Sequence, residues 1–169
     1  GTAARQDARF RETGPTLDGF AFLPGAVFVE SVDNNPSADT PIVLEEDRPL
    51  IEWLRNNVEG SPVIVEAVGP LYRWTGRISE YTGLPAVIGW DWHQVQQRTD
   101  YSEQIQKRRF ETEQFYRVPD QAYAMSYLEK YNVRYVVVGA EERFHGSDVG
   151  IAKFAQMPGL EEVFRSGND

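Results

Sequence analysis

The sequence has no cysteine and only two histidines, His93 and His145, in 169 residues. The first absence excludes disulfides and thiolate metal sites. The second leaves too few imidazoles for a histidine-rich zinc site, so neither a metal nor another cofactor is expected. Basic residues are scarce: 17 Lys and Arg against 26 Asp and Glu give a net charge of -9. Nucleic acid, which needs a basic face, is therefore not an expected partner. Nor does charge alone favour docking on anionic lipid. Lys107, Arg108 and Arg109 form the one local basic run, which reads as a solvated helix face. No stretch approaches the roughly 20 apolar residues of a membrane span, and the first residues do not read as a secretory leader. Gly-x-Gly-x-x-Gly, a Gly-Lys-Ser/Thr phosphate loop and Gly-x-Ser-x-Gly are all missing. Asp33, Asn34 and Asn35 are too short a cluster for a calcium loop.

What is present suits an ordinary globular chain, with 41% hydrophobic, 25% charged and 12% aromatic residues, enough to bury a core. Both ends read as cut from a longer protein. Residues 1–48 lack clear periodicity and are punctuated by Pro15, Pro24, Pro36 and Pro41 and by Gly14, Gly19 and Gly25. They read as an arm wrapping the α/β domain of residues 49–169, anchored by Phe20, Phe22 and Phe28, with Ser31 to Pro41 as a polar loop. Arm and body together make a single domain.

Asp47 is the expected N-cap of an amphipathic helix that carries Pro49 in its first turn, buries Leu50, Ile51, Trp53, Leu54 and Val58, and stops at Gly60. Val63 to Val68 and Pro85 to Gly89 are short apolar runs that read as buried strands. Trp92 to Tyr116 is polar and helical, with a break at Tyr101-Ser102. Pro119-Asp120 opens another helix, and Val133 to Gly139 is the clearest strand. A helix over about 149–156 and a strand over about 161–165 complete the pattern. Alternating helices and strands predict a layered α/β fold with a mainly parallel sheet of about four short strands, Rossmann-like but without a dinucleotide fingerprint.

Ligands of open parallel sheets gather beyond the carboxyl ends of the strands. Three loops are expected there, over 69–79, 89–94 and 139–145. They concentrate Trp, Tyr, Arg, His and carboxylates, a composition suited to a sugar or planar ligand. Arg77, Tyr81, Trp90, His93 and Arg98 are the candidate substrate-binding surface, with Glu66 and Arg143 as charged support. Several also have a plain packing role: Glu66 in an ion pair with Arg73 or Arg77, Arg77 in a buried ion pair, Trp90 in the core, His93 at a helix start, Arg143 paired with Glu141 or Glu142. No catalytic residue is assigned. A glycosidase pair of Glu66 and Asp91 is the remaining enzymatic possibility.

Three segments carry a family resemblance. Thr16-Leu17-Asp18-Gly19-Phe20-Ala21-Phe22 is the first. Gly76-Arg77-Ile78-Ser79 with Thr82-Gly83-Leu84-Pro85-Ala86-Val87-Ile88-Gly89-Trp90 and His93 is the second. Val133-Arg134-Tyr135-Val136-Val137-Val138-Gly139 with Glu142-Arg143 is the third. From about Thr16 onward the chain resembles the YYY family of bacterial and archaeal polytopic membrane proteins, a family of unknown function. The resemblance implies a soluble segment following many transmembrane helices, on the extracytoplasmic face of the membrane. It implies the transmembrane part of the same protein as partner, and a lipid-linked sugar or glycan as ligand, by analogy with membrane glycosyltransferases. Gln94 stands where the family usually has Glu, and Gln96-Gln97-Arg98 where Gln-Trp-Arg is usual. A catalytic centre built on the His93 motif therefore lacks its carboxylate. The alternative reading is a structural or interaction module in which the same motifs serve turns and packing.

Overall fold

The computed structural model describes residues 8–9, 13–31 and 39–167. Asp33, Asn34, Asn35 and positions 32–38 of the expected polar loop lie outside the described residues.

The chain begins with an antiparallel sheet in the order β1 (Ala8–Arg9), β2 (Val27–Glu30), β3 (Thr40–Val43). A 3-10 turn over Leu44–Asp47 leads into α1 (Arg48–Asn57). Next come β4 (Val63–Val65), α2 (Arg77–Thr82), α3 (Asp91–Gln97), a 3-10 turn at Thr99–Tyr101 and α4 (Ser102–Arg117). The series ends with α5 (Gln121–Lys130), β5 (Val133–Val136), α6 (Ala140–His145), α7 (Asp148–Ala152) and a 3-10 turn over Lys153–Gln156.

The expected four-stranded, mainly parallel sheet is not formed. The described residues are about 48% helical and 11% strand, and among them the parallel sheet holds only β4 and β5. Pro85 to Gly89 contributes a single parallel bridge, Ile64 to Ala86, with Pro85 supplying no backbone donor. Residues 161–165 are not a strand: Glu161, Glu162, Val163 and Arg165 are exposed, and Phe164 alone turns in, 5.4 Å from Trp53. The other strand pairs lie in the N-terminal antiparallel sheet, in residues whose proline and glycine content hid any strand periodicity.

β4 joins the two main cores because strand side chains alternate between faces. Ile64 belongs to the cluster that holds Phe20, Leu23, Phe28, Ile42, Leu44, Ile51, Leu54 and Ile78. Val65 packs with Phe115, Tyr116, Ala124, Tyr127, Leu128 and Met157 from the C-terminal half. The segment before residue 49 thus supplies part of the first core. Tyr116 ties the parallel ribbon to α4: its buried hydroxyl lies 2.9 Å from the carbonyl oxygens of both Val65 and Val137.

Candidate functional site

Two arrangements emerge where the loops after β4 and the Ile64–Ala86 bridge meet, one sealed and one open. The sealed one centres on Arg77, the first residue of α2, which is 1% exposed. Its Nε and Nη2 donate to Asp47 at 2.9 and 3.0 Å. Its Nη1 and Nη2 donate to Glu142 at 2.9 Å each. Two paired forks of this kind use four of the guanidinium's five N–H donors. Glu66 lies 3.8 Å from Arg77 Nη1 and accepts the backbone N–H groups of Ile78 and Ser79, so it caps α2 from a distant strand end. Glu142 also accepts from the N–H groups of Ala67 and Gly139. Asp47 accepts from Trp74 Nε1 at 2.7 Å. Asp47 was expected to cap α1, but it makes no capping bond there; its carboxylate is committed to Arg77 and Trp74.

Electrostatics follow from this packing. Burial pushes the Glu66 carboxyl up, opposed by Arg77 and the two N–H donors. Burial acts on Glu142 in the same direction, but Arg77 and the backbone donors win and hold it below the usual range. Burial works against a charged Arg77, yet Glu142 and Asp47 hold its pKa well above the usual value.

The open arrangement is aromatic. Tyr72 sits in the loop after β4 with φ of +61°, a left-handed conformation that is uncommon and costly for a bulky residue. Its side chain is 60% exposed. Its ring centre lies 5.5 Å from Trp90 and 5.4 Å from His93, and Trp90 and His93 are 5.2 Å apart. The hydroxyl of Tyr72 is 3.4 Å from His93 Nε2. Trp90 is half-buried and anchored by its Nε1 donating to the Thr75 carbonyl at 3.1 Å. Trp92, on the same first turn of α3, is 53% exposed. Beside this ledge, α3 and α4 enclose a groove of about 370 Å³ lined by Gln94, Arg98, Tyr101, Gln104, Ile105 and Arg108.

The residues singled out from sequence therefore separate. Trp90 and His93 share the ledge, and Arg98 lines the adjoining groove. Arg77 and Glu66 belong to the sealed network. Tyr81 is half-buried, stacked 5.0 Å from Phe20 and tilted against Trp74. Arg143 is exposed on α6. Tyr72 and Arg108 were missed as contact residues. Tyr72 lay in a loop already flagged as aromatic, but its neighbours are distant in sequence. Arg108 was read only as part of a solvated face.

Asp91 ties α3 to α4, accepting from Arg109 at 2.8 Å and Gln106 at 3.2 Å. Burial alone would raise its pKa, but these donors hold it below the usual carboxylate value of 3.8. A lowered carboxylate contributes stability that is fully present above the unfolded value and lost as pH falls through the folded one. Stability is accordingly expected to decline on acidification below about pH 4, and Asp91→Asn to flatten that decline while lowering stability at neutral pH. Urea midpoints measured from pH 3 to 7 check both parts.

No protein-family model matches the chain, and neither a curated protein nor a solved structure matches it.

Proposed function

We propose that this domain is a substrate-binding accessory module of a multi-spanning membrane protein, acting on the extracytoplasmic face and engaging a lipid-linked sugar. The observation that carries the binding part is the open Tyr72–Trp90–His93 ledge, with Tyr72 in a left-handed conformation that is uncommon for a bulky residue. Aromatic faces stack on the C–H surface of a sugar ring, and the imidazole and phenol supply hydrogen bonds. Arg98 and Arg108 in the adjoining groove suit the diphosphate of a lipid-linked donor. The membrane setting and the transmembrane partner rest on the resemblance to the YYY family of Thr16–Phe22, of Gly76–Ser79 with Thr82–Trp90 and His93, and of Val133–Gly139 with Glu142-Arg143.

The alternative of a structural module is favoured by one observation, the complete burial of Arg77 and its carboxylates, which assigns half of the family-like motif to the interior. The glycosidase reading loses its support. Glu66 is sealed beneath α2, and the Asp91 carboxylate is held by Arg109 and Gln106.

Titration with free monosaccharides and with a water-soluble isoprenyl diphosphate, followed by calorimetry, tests the proposal. Saturable binding is expected, weakened about tenfold or more by Tyr72→Ala and by the Arg98→Ala/Arg108→Ala pair, equivalent to at least ~1.4 kcal/mol. Equal binding by wild type and both variants, or none by any, would remove the ledge and groove as a ligand site and leave the structural reading.

A further inference from the structure

A second cluster lies where β2 meets α6, and it does not depend on the ledge reading. Glu141 and His145 are one helical turn apart on α6, so both side chains share a face. Glu30 closes the group from the end of β2. One donor atom from each of the three lies within 4.8 Å of those of the other two. Glu30 and Glu141 are buried, and the His145 side chain is 14% exposed.

Glu141 is the decisive residue. It is 0% exposed, and neither carboxylate oxygen accepts a hydrogen bond. His145 Nε2 is likewise buried without a hydrogen bond, 3.4 Å from Glu141 Oε2. A buried carboxylate left this way is costly unless a cation compensates it. The ordinary explanation, an ion pair within one helix, does not account for the geometry, since the contact forms no hydrogen bond. The separation does match a shared metal: ligands at about 2.1 Å in a tetrahedral shell stand roughly 3.4 Å apart. Bringing donors as far as 4.8 Å apart to that edge takes a movement of at most roughly 1.4 Å.

The surroundings preserve this space. A Cβ on Gly69 would meet His145 Nε2 at 2.8 Å and Thr75 Cγ2 at 2.9 Å, so the glycine lets the imidazole nitrogen sit against the loop after β4. The hydroxyl of Thr75 is also buried with no hydrogen-bond partner. Arg73 fixes the far side of Glu30, with Nε 3.9 Å from Oε2 and Nη1 donating to the Val29 carbonyl.

We infer that Glu30, Glu141 and His145 bind a divalent transition-metal ion, with zinc as the best fit. Glu141 and Glu30 supply negative charge, that of Glu30 shared with Arg73, one imidazole supplies the borderline-soft donor, and three protein ligands leave a fourth position for water or another oxygen donor. Magnesium, which resists dehydration, and calcium, which takes six to eight oxygens, fit this small mixed set poorly.

The chain, stripped with chelator and returned to metal-free buffer, is titrated with Zn²⁺ by calorimetry and by competition with a chromophoric chelator. One equivalent is expected to bind and to raise the melting temperature. Glu141→Gln and His145→Ala are each expected to weaken binding by more than the 10- to 100-fold typical of supporting residues. Circular dichroism of each variant verifies folding, and Co²⁺ gives an independent readout through a tetrahedral absorption band lost in His145→Ala. Binding that persists in both folded variants, or no binding and no thermal shift in wild type, overturns the assignment. If either variant fails to fold, the wild-type stoichiometry, thermal shift and Co²⁺ spectrum decide it.

Discussion

Replacing Arg77 with alanine should cost on the order of 3–5 kcal/mol, because removing one partner of a buried ion-pair network leaves the others charged and unpaired. Three carboxylates face that guanidinium, those of Asp47, Glu142 and Glu66. The whole stability of a domain this size is about 5–15 kcal/mol, so Arg77→Ala is expected to lose a large fraction of it and to unfold at a much lower urea concentration. Arg77→Lys keeps the charge but cannot reproduce two forks at once, and should fall between wild type and the alanine variant. Urea midpoints compared across the three proteins give the answer. An alanine variant within about 1 kcal/mol of wild type would mean that the network is not stabilising, since that is the range of an exposed pair. The same ranking bears on function. A loss of ligand binding in an Arg77 variant follows from lost folding, whereas a loss in Tyr72→Ala with unchanged stability belongs to the ledge.

The second large effect is expected at Gly150. On sequence alone Gly150→Ala within a helix is favourable by up to about 1 kcal/mol. Here the added methyl would stand 2.1 Å from the Tyr116 carbonyl oxygen and 2.8 Å from that of Arg117. These are backbone atoms at the end of α4, and they cannot swing aside as a flexible side chain would. α7 is pressed onto that end by Ser147, whose hydroxyl bonds the Arg117 carbonyl at 2.6 Å and accepts the Gly150 N–H at 3.0 Å. Overpacking of this kind costs about 1–3 kcal/mol or more, so a net destabilisation of roughly 2 kcal/mol is predicted. Gly89→Ala serves as the control, because its methyl would meet only the Gln94 side chain, at 3.5 Å. Equal melting temperatures for the two variants would contradict the close approach of α7 to α4.

These two positions also show where the sequence was legible. α1, α4, α5 and β5 were readable because their signals are local: Pro49 near the helix start, the polar run broken at Tyr101-Ser102, Asp120 accepting the Tyr123 N–H at the start of α5, and the Val133 to Val136 strand. α2 and α6 were expected to be loops because what starts them is not the usual N-cap side chain. α2 follows Gly76 at φ of +89° and is capped by Glu66 from β4's end. α6 starts where Glu142 reaches back to the Gly139 N–H. The sheet was overestimated because short apolar runs do not distinguish a paired strand from a buried connection. In the candidate site, the aromatic and charged composition of the loops was visible, as was a pairing of Glu66 with either Arg73 or Arg77, of which the structure forms the second. Which residues would be sealed and which exposed was not. That depends on Asp47 and Glu142 converging on Arg77 from 30 residues before and 65 after.

The segment from Gly76 to His93 divides between an interior network and an exposed ledge, and tryptophans report on both. Trp74 is bound to Asp47 at the network, and Trp53 packs against Tyr135 and Phe164. Trp90 belongs to the ledge, and Trp92 is exposed beside it on the first turn of α3. The most direct measurement is therefore a two-dimensional nitrogen–proton spectrum of the indole N–H groups during titration with a water-soluble isoprenyl diphosphate sugar. The account predicts that the Trp90 and Trp92 resonances shift saturably while those of Trp53 and Trp74 stay in place. Stationary resonances at all four positions, or shifts led by Trp53 or Trp74, would contradict it.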